Sequence, residues 1–440
     1  MKILPQEVFL HGLGKFPDYS YSLDISWNPS GKGPPYVVTG GADSVARVWT
    51  VGEKSLLEIH SELFGHQLGV NCVRFSPDGL NSIATASDDG KIVVWRCQSV
   101  EHEESDDPKK SVRWVQGRVL NVLDEVVGMA WSPCGTMIAA ALQREMTHIF
   151  SATSGKLLAR LDGHTNRVTG VAWDPRGQLV VSQSTDRTSR VFARKKNGSW
   201  YPKALLKEVS ENPKKCQDVL ESPKNAPQSK WKLFISESHY PTDPTAHFFR
   251  RPEFSPDGSM VVLPGGLSDE AKFVTHLYSR KSLTTNQPPT ATFTSPCAPS
   301  ICARFHPRPF RDTASESKFF VYVVTTVRSF YVMRSDKATP VAFGTDIHCT
   351  SIVDASWSSD AQILGLCSTD GYITLIRFEK GELGGTPEWE GFVVGSPLTA
   401  EPKAGAGPVP PAEQLPIHTA ATEAGPVKEK RRITPVMIAS

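Results

Sequence analysis

Apolar residues in this chain come in short alternating runs that end on an aromatic and then break. The first such phrase is Leu23-Asp24-Ile25-Ser26-Trp27-Asn28-Pro29. It returns as Val73-Arg74-Phe75-Ser76-Pro77-Asp78-Gly79, as Met129-Ala130-Trp131-Ser132-Pro133-Cys134-Gly135 and as Val171-Ala172-Trp173-Asp174-Pro175-Arg176-Gly177. Looser copies are Glu253-Phe254-Ser255-Pro256-Asp257-Gly258, Ala303-Arg304-Phe305-His306-Pro307 and Ala355-Ser356-Trp357-Ser358-Ser359-Asp360. Alternation with a period of two places apolar side chains on the buried face of a strand. The Pro and Gly that follow close a hairpin without a ladder donor or a strained φ. A second run of small residues comes next, as in Val37-Val38-Thr39-Gly40-Gly41 and Ile83-Ala84-Thr85-Ala86-Ser87, and suits crowded packing. An Asp then stands six residues before a closing aromatic or aliphatic: Asp43 before Trp49, Asp89 before Trp95, Asp186 before Phe192, Asp370 before Ile376. The pattern predicts an all-β protein.

The seven aromatics are separated by 48, 56, 42, 81, 51 and 52 residues. A four-stranded propeller blade takes about 40–45 residues, so each interval holds one blade plus loops. The expected fold is a seven-bladed β-propeller over residues 1–384. An open ring would leave a bare strand edge. Phe378 ends the third strand of the last blade, and no good fourth strand follows it. The segment from Lys2 to His11 is apolar enough to supply that strand and latch the ring.

These phrases resemble the WD40-repeat family, whose turn aspartate hydrogen-bonds within its blade. The resemblance implies that Asp43, Asp89, Asp186 and Asp370 are structural. His66 and His164 follow the Gly-His position of the family and are expected in the same blade networks. The third blade departs from the pattern, with Arg144 where the Asp should stand, and blades five and six are degenerate.

Two stretches interrupt the repeat. Residues 98–113 carry an acidic run followed by Lys109 and Lys110, which reads as a solvated loop. Residues 193–247, between blades four and five, are rich in Lys and Pro. They read as a mobile surface loop, with a histone or DNA contact as the sharper alternative, although basic histones would be repelled. Trp200, Tyr201, Trp231 and Phe234 suggest that parts of this stretch are ordered. Beyond the ring, residues 385–440 read as a disordered tail, since Glu401 to Val427 is rich in Pro, Ala, Gly and Glu. The tail ends on Lys428-Glu429-Lys430-Arg431-Arg432-Ile433-Thr434-Pro435-Val436-Met437-Ile438. A basic run leading into a short apolar segment suits β-augmentation of a partner sheet, with a nuclear-localisation signal as the plainer reading.

Composition narrows the function. The formal net charge is +2, so no global basic field argues for direct DNA binding by the ring. The eight cysteines show no C-x-x-C pair, which fits buried reduced thiols rather than a metal or redox motif. No signal peptide is evident, and no apolar run approaches the ~20 residues of a membrane helix. The Asn197-Gly198-Ser199 acceptor is then expected to be without meaning. Phosphate-loop, nucleophile-elbow, zincin and dinucleotide motifs are lacking, so no cofactor and no enzymatic activity are expected.

A more specific resemblance rests on three phrases. They are Phe248-Phe249-Arg250-Arg251-Pro252 entering blade five, Ser356-Trp357-Ser358-Ser359-Asp360 running to Ser368-Thr369-Asp370-Gly371-Tyr372, and Phe378-Glu379-Lys380-Gly381-Glu382-Leu383-Gly384. Together they resemble the middle, WD40 subunits of chromatin assembly factor 1. That resemblance implies a non-catalytic, nuclear subunit of a histone chaperone complex that deposits H3–H4 during replication-coupled nucleosome assembly. The implied partners are the large and small subunits of the complex, H3–H4 and the anti-silencing-function histone chaperone. The propeller would dock on the large subunit. The family motif of two arginines, an aliphatic, a small residue and a proline matches Arg431, Arg432, Ile433, Thr434 and Pro435. Val436 and Ile438 would be its further apolar anchors, within residues 430–438. The histone regulator family shares ring and motif but is much longer, so length and the Phe-Phe-Arg-Arg-Pro phrase favour the replication-linked complex. A generic scaffold such as a ubiquitin-ligase substrate receptor is a weaker alternative, because no adaptor helix is evident. Whether Arg250 and Arg251 face a partner or pair within the fold is left open.

Overall fold

The computed structural model describes residues 1–7, 20–26, 35–52, 57–77, 82–99, 112–207, 231–232, 248–268, 272–295, 298–312, 315–358, 362–379 and 381–388. These residues form seven antiparallel sheets, one per predicted repeat. The innermost strands, in blade order, are Ser20–Ser26, Val70–Phe75, Val126–Trp131, Val168–Trp173, Glu253–Phe254, Cys302–Arg311 and Ile352–Trp357. Each lies beside the next, and the last lies beside the first, so the ring is closed.

The residue after each repeated aromatic explains the hairpin that follows. The Ser132, Ser255 and Ser358 hydroxyls accept from the backbone N–H of Met137, Met260 and Ile363 at 2.9, 3.0 and 2.9 Å. The same serines donate their own N–H to the carbonyls of those three residues, so backbone and side chain pin the turn together. Gly258 closes one such turn at φ 67°, a conformation that a residue with a Cβ rarely adopts.

The hydrophobic core lies between the blades. One apolar cluster fills each of the seven junctions. Tyr36, Val38 and Val48 of blade one meet Val93, Trp95 and Trp114 around blade two. Val181 and Val191 of blade four meet Val261, Leu263 and Tyr278 of blade five. Each large side chain so buried contributes about 2 kcal/mol. A single blade has little interior of its own, so stability belongs to the closed ring.

The fourth strand of blade seven comes from the other end of the chain. Lys2–Glu7 pairs antiparallel with Tyr372–Arg377, from Lys2 opposite Arg377 to Glu7 opposite Tyr372. Residues 8–11 of the expected latch lie outside the described residues. After blade seven the chain folds back on blade six, where Thr386–Pro387 pairs with Phe310 and Arg311. Glu388 bonds Arg311 and Lys318 at 2.7 and 2.8 Å, so ring contacts extend to residue 388, past the expected boundary at 384.

The stretch 193–247 differs from its expected role as an insertion throughout. It opens as the end of Ser189–Arg194 and continues as Trp200–Leu206, the outer strand of blade four. The turn between them is an Asn-Gly hairpin, with Gly198 at φ 86°. Lys195 N–H donates to the Ser199 carbonyl at 2.8 Å. Trp200 packs edge-on against Trp173 at 5.5 Å. Trp231–Lys232 pairs with Met260–Ser268 of blade five, and Phe234 lies outside the described residues. Of the stretch 98–113, Gln98 and Ser99 pair with Arg113 and Val112 in blade two, and residues 100–111 lie outside the described residues. Blade five carries a one-turn helix, Arg280–Thr284, before its outer strand.

Candidate functional site

The turn aspartates sit in the tight turns between the second and third strands of their blades. In blade two the Trp95 indole N–H donates to Thr85 Oγ1 at 3.0 Å, and His66 Nε2 lies 2.7 Å from the same oxygen. His66 Nδ1 faces Asp89 at 3.1 Å, and Asp89 also accepts from the N–H of Gln67 and Lys91. Burial pushes the His66 ring below its ordinary pKa, although Asp89 opposes the shift. A neutral ring with its proton on Nδ1 satisfies both partners. Blade four repeats the arrangement. His164 Nδ1 lies 2.9 Å from Asp186 and Nε2 lies 2.8 Å from Ser182 Oγ. Phe192 closes that blade in place of the tryptophan. Asp43 accepts from Val45 N–H and pairs with Arg47.

Asp370 completes a third His–Asp pair, with a partner that no sequence motif marks. His348 Nδ1 lies 3.1 Å from Asp370, and Nε2 lies 3.1 Å from Thr374 Oγ1. No glycine precedes His348. Its spacing of 22 residues before Asp370 matches the 22 between His164 and Asp186, and that is the signal that finds it. In blade three Arg144 replaces the Asp, and its side chain is 82% exposed. Its backbone N–H donates instead to Asp124, so the carboxylate comes from the connection before the blade.

The centre of the ring holds a second, larger network. Asp354, fully buried on the inner strand of blade seven, is contacted from four other blades. Arg74 of blade two reaches both its oxygens, at 2.8 and 3.0 Å. Arg304 of blade six donates at 2.9 Å, Ser22 of blade one at 2.6 Å, and Arg251 before blade five stands at 3.5 Å. Burial alone would raise the Asp354 pKa, but the three guanidinium groups outweigh it and hold it well below the usual carboxylate range.

Arg250 and Arg251 are both buried within the fold, which answers the question that their sequence left open. Arg251 donates to the carbonyls of Val353, Tyr21 and Asn71 at 2.9, 3.0 and 2.9 Å. The phrase that carries them crosses from the inner strand of blade four to that of blade six. Arg250 N–H bonds Thr169 carbonyl and Arg251 N–H bonds Ile301 carbonyl. Gly170 makes room for this crossing, because a Cβ there would stand 1.5 Å from the Arg250 carbonyl oxygen. Phe249 fills the channel beside Val127, Ile301 and Val353.

Below this plug, on the face that carries the Ser-Pro hairpins, two cavities open. One, of about 290 Å³, lies against Ala130, Trp131, Ala172 and Trp173. The other, of about 300 Å³, lies among Asp24, Glu253, Phe254, Phe305, Ser356 and Trp357. Burial pushes the Glu253 carboxyl up to about 7, against the pull of Arg304 and the Phe305 N–H. Asp24 is also raised by burial, against Arg74 and Ser356. Among the described residues no group of three or more His, Cys, Asp or Glu is arranged to hold a metal. The tail residues Arg431, Arg432, Ile433, Thr434, Pro435, Val436 and Ile438 lie outside the described residues.

A closed ring of seven blades of four or five strands, pinned by His–Asp turns and Trp–Thr contacts, defines a WD40-type β-propeller. A family model described as the CAF1B/HIR1 beta-propeller domain matches residues 1–383, and the chain belongs to that family. The chromatin assembly factor 1 subunit FAS2 homolog of Oryza sativa subsp. japonica is 31% identical, over 79% of this chain and 69% of its own length. A chromatin assembly factor 1 subunit of Mus musculus is 29% identical, over 87% of this chain and 68% of its own. Protein HIR1 of Yarrowia lipolytica is 24% identical, over 79% of this chain and 35% of its own.

Proposed function

We propose that this chain is a non-catalytic, nuclear subunit of a histone chaperone complex of the chromatin assembly factor 1 type, which deposits H3–H4 during replication-coupled nucleosome assembly. The observation that carries the reading is the family match across the whole ring, together with relatives named as subunits of that factor. The ring supplies a rigid body, and its charged interior is occupied with holding the inner strands together. The ring docks on the large subunit. The residues after 388 serve as a tail, and Arg431-Arg432-Ile433-Thr434-Pro435 within it binds the anti-silencing-function chaperone by β-augmentation, with Val436 and Ile438 as apolar anchors. The turn residues Asp43, Asp89, Asp186 and Asp370 hold the blades and take no part in binding.

Replacing Arg431 and Arg432 together by Ala should abolish capture of that chaperone while thermal unfolding of the ring stays unchanged. Undiminished affinity in titration would reject the tail assignment. The HIR1 relatives favour a second reading, a subunit of a histone regulator complex. Identifying the stable partners of the purified chain separates the two. Co-purification with the chromatin assembly factor large subunit supports the first reading, and co-purification with histone regulator subunits supports the second.

A further inference from the structure

The cavity between blades one, five, six and seven has the chemistry of a socket for a cation on an aliphatic stem. Its walls are Phe254, Pro256, Phe305, Pro307 and Trp357, and two carboxylates from different blades, Asp24 and Glu253, face it. Its two arginines are committed elsewhere. Arg74 places both terminal nitrogens on Asp354 and adds the Leu23 and Val73 carbonyls. Arg304 bonds Asp354 and the carbonyls of Ala355 and Ala303. Glu253 is different. Among the described residues, one Oε atom accepts the Phe305 N–H, and the other oxygen has neither a hydrogen bond nor an ion pair. The cavity therefore offers acceptors, which decides the sign of the ligand.

We infer that this cavity receives a single lysine or arginine side chain from an extended segment of a partner protein. The stem lies along the aromatic and proline walls, and the charged head meets Glu253 and Asp24. Long basic side chains combine an apolar stem with a charged tip in this way. A head group with several N–H donors matches the open carboxylate oxygen. Burial raises Glu253 and Asp24 against the pull of the resident arginines, so a further cation in the cavity favours their ionised forms. The inference stands apart from the chromatin reading, because it rests on the cavity alone.

The test uses the full chain and short fluorescent Gly-Ser peptides carrying one central lysine, arginine, norleucine or glutamate, read by anisotropy. The lysine or arginine peptide should bind about tenfold or more tightly than the norleucine peptide, the ratio expected for one charge-assisted hydrogen bond. Glu253→Gln keeps the shape and an acceptor for Phe305 N–H, and should remove that advantage without shifting thermal unfolding. The charged groups facing Glu253 are Asp24, Arg74 and Arg304. Binding to the wild-type chain should strengthen as pH rises through about 7, where Glu253 ionises. That measurement holds even if the variant fails to fold. Equal affinity for lysine and norleucine peptides, unaltered affinity in a folded Glu253→Gln chain, or binding that is flat with pH would each overturn the inference. Binding by free lysine amide equal to that of the lysine peptide would overturn the extended-segment part.

Discussion

Arg251 Nε and Asp354 Oδ1 stand 3.5 Å apart across the channel, one residue on the way into blade five and the other on the inner strand of blade seven. Neither has access to solvent worth the name, at 5% and 0% side-chain exposure, so Asp354 is the buried counter-charge that Arg251 shares with Arg74 and Arg304. Asp354 thus works as a hub through which five of the seven blades are tied.

Asp354→Asn should therefore cost about 3–5 kcal/mol, because it leaves three buried guanidinium groups without their common counter-charge. Arg251→Met, which removes one cation from a hub that still has two, should cost less. Urea unfolding followed by tryptophan fluorescence measures both. A loss below about 1 kcal/mol for Asp354→Asn would show that the ring is held by its apolar junctions alone.

The repeats were legible because each is local. In blades two to five an aromatic, a serine or aspartate, a proline and a glycine lie within six residues, and that window fixes both a strand end and a turn. The hub was not legible, because its members Ser22, Arg74, Arg251, Arg304 and Asp354 are scattered along the chain and meet only when the ring closes. Arg250 and Arg251 stood out in the sequence, but nothing local says that Gly170 leaves space for them to turn inward. Trp200–Leu206 was hidden by its lysine-rich surroundings, although the Asn197-Gly198 turn marks its hairpin. His348 escaped because it lacks the preceding glycine, while its distance to Asp370 is the same as in blade four.

The latch gives a second prediction. Lys2–Glu7 supplies the outer strand of blade seven, and Leu4 packs on the cluster that joins blades seven and one. Removing residues 1–11 exposes the Tyr372–Arg377 edge and opens the seam. Thermal unfolding should move down by about 5 °C or more, on the basis that a few kcal/mol shift a domain of this size by a few degrees each. Adding a synthetic peptide of residues 1–11 should recover part of the loss. An unchanged melting curve for the shortened chain rejects the latch as a source of stability.

Acid unfolding should expose the His–Asp pairs. Burial raises Asp186, but hydrogen bonds from His164 and Thr188 outweigh it and hold the carboxyl well below its ordinary value. Asp370 is lowered in the same way by His348. A carboxyl lowered in the folded state adds stability that is fully present above its unfolded pKa of about 4, and that stability is lost as pH falls below this value. His66 adds to the same trend from a higher pH. Burial lowers its folded pKa, so acid favours the unfolded chain from about pH 6.5 downward. Glu253 acts in the opposite sense, since its raised value of about 7 makes the folded state bind a proton more readily and eases the loss between about pH 7 and 4.5. Asp186→Asn isolates one contribution. It should lower stability by about 1–2 kcal/mol at neutral pH, the cost of a buried charged hydrogen bond. The gap from the wild-type chain should then shrink on acidification below about pH 4, as the carboxyl becomes protonated in the unfolded wild-type chain while the folded one stays ionised. Urea titrations at a series of pH values read that gap directly. A gap of constant size across the series would mean that Asp186 contributes through shape and backbone contacts and not through its charge.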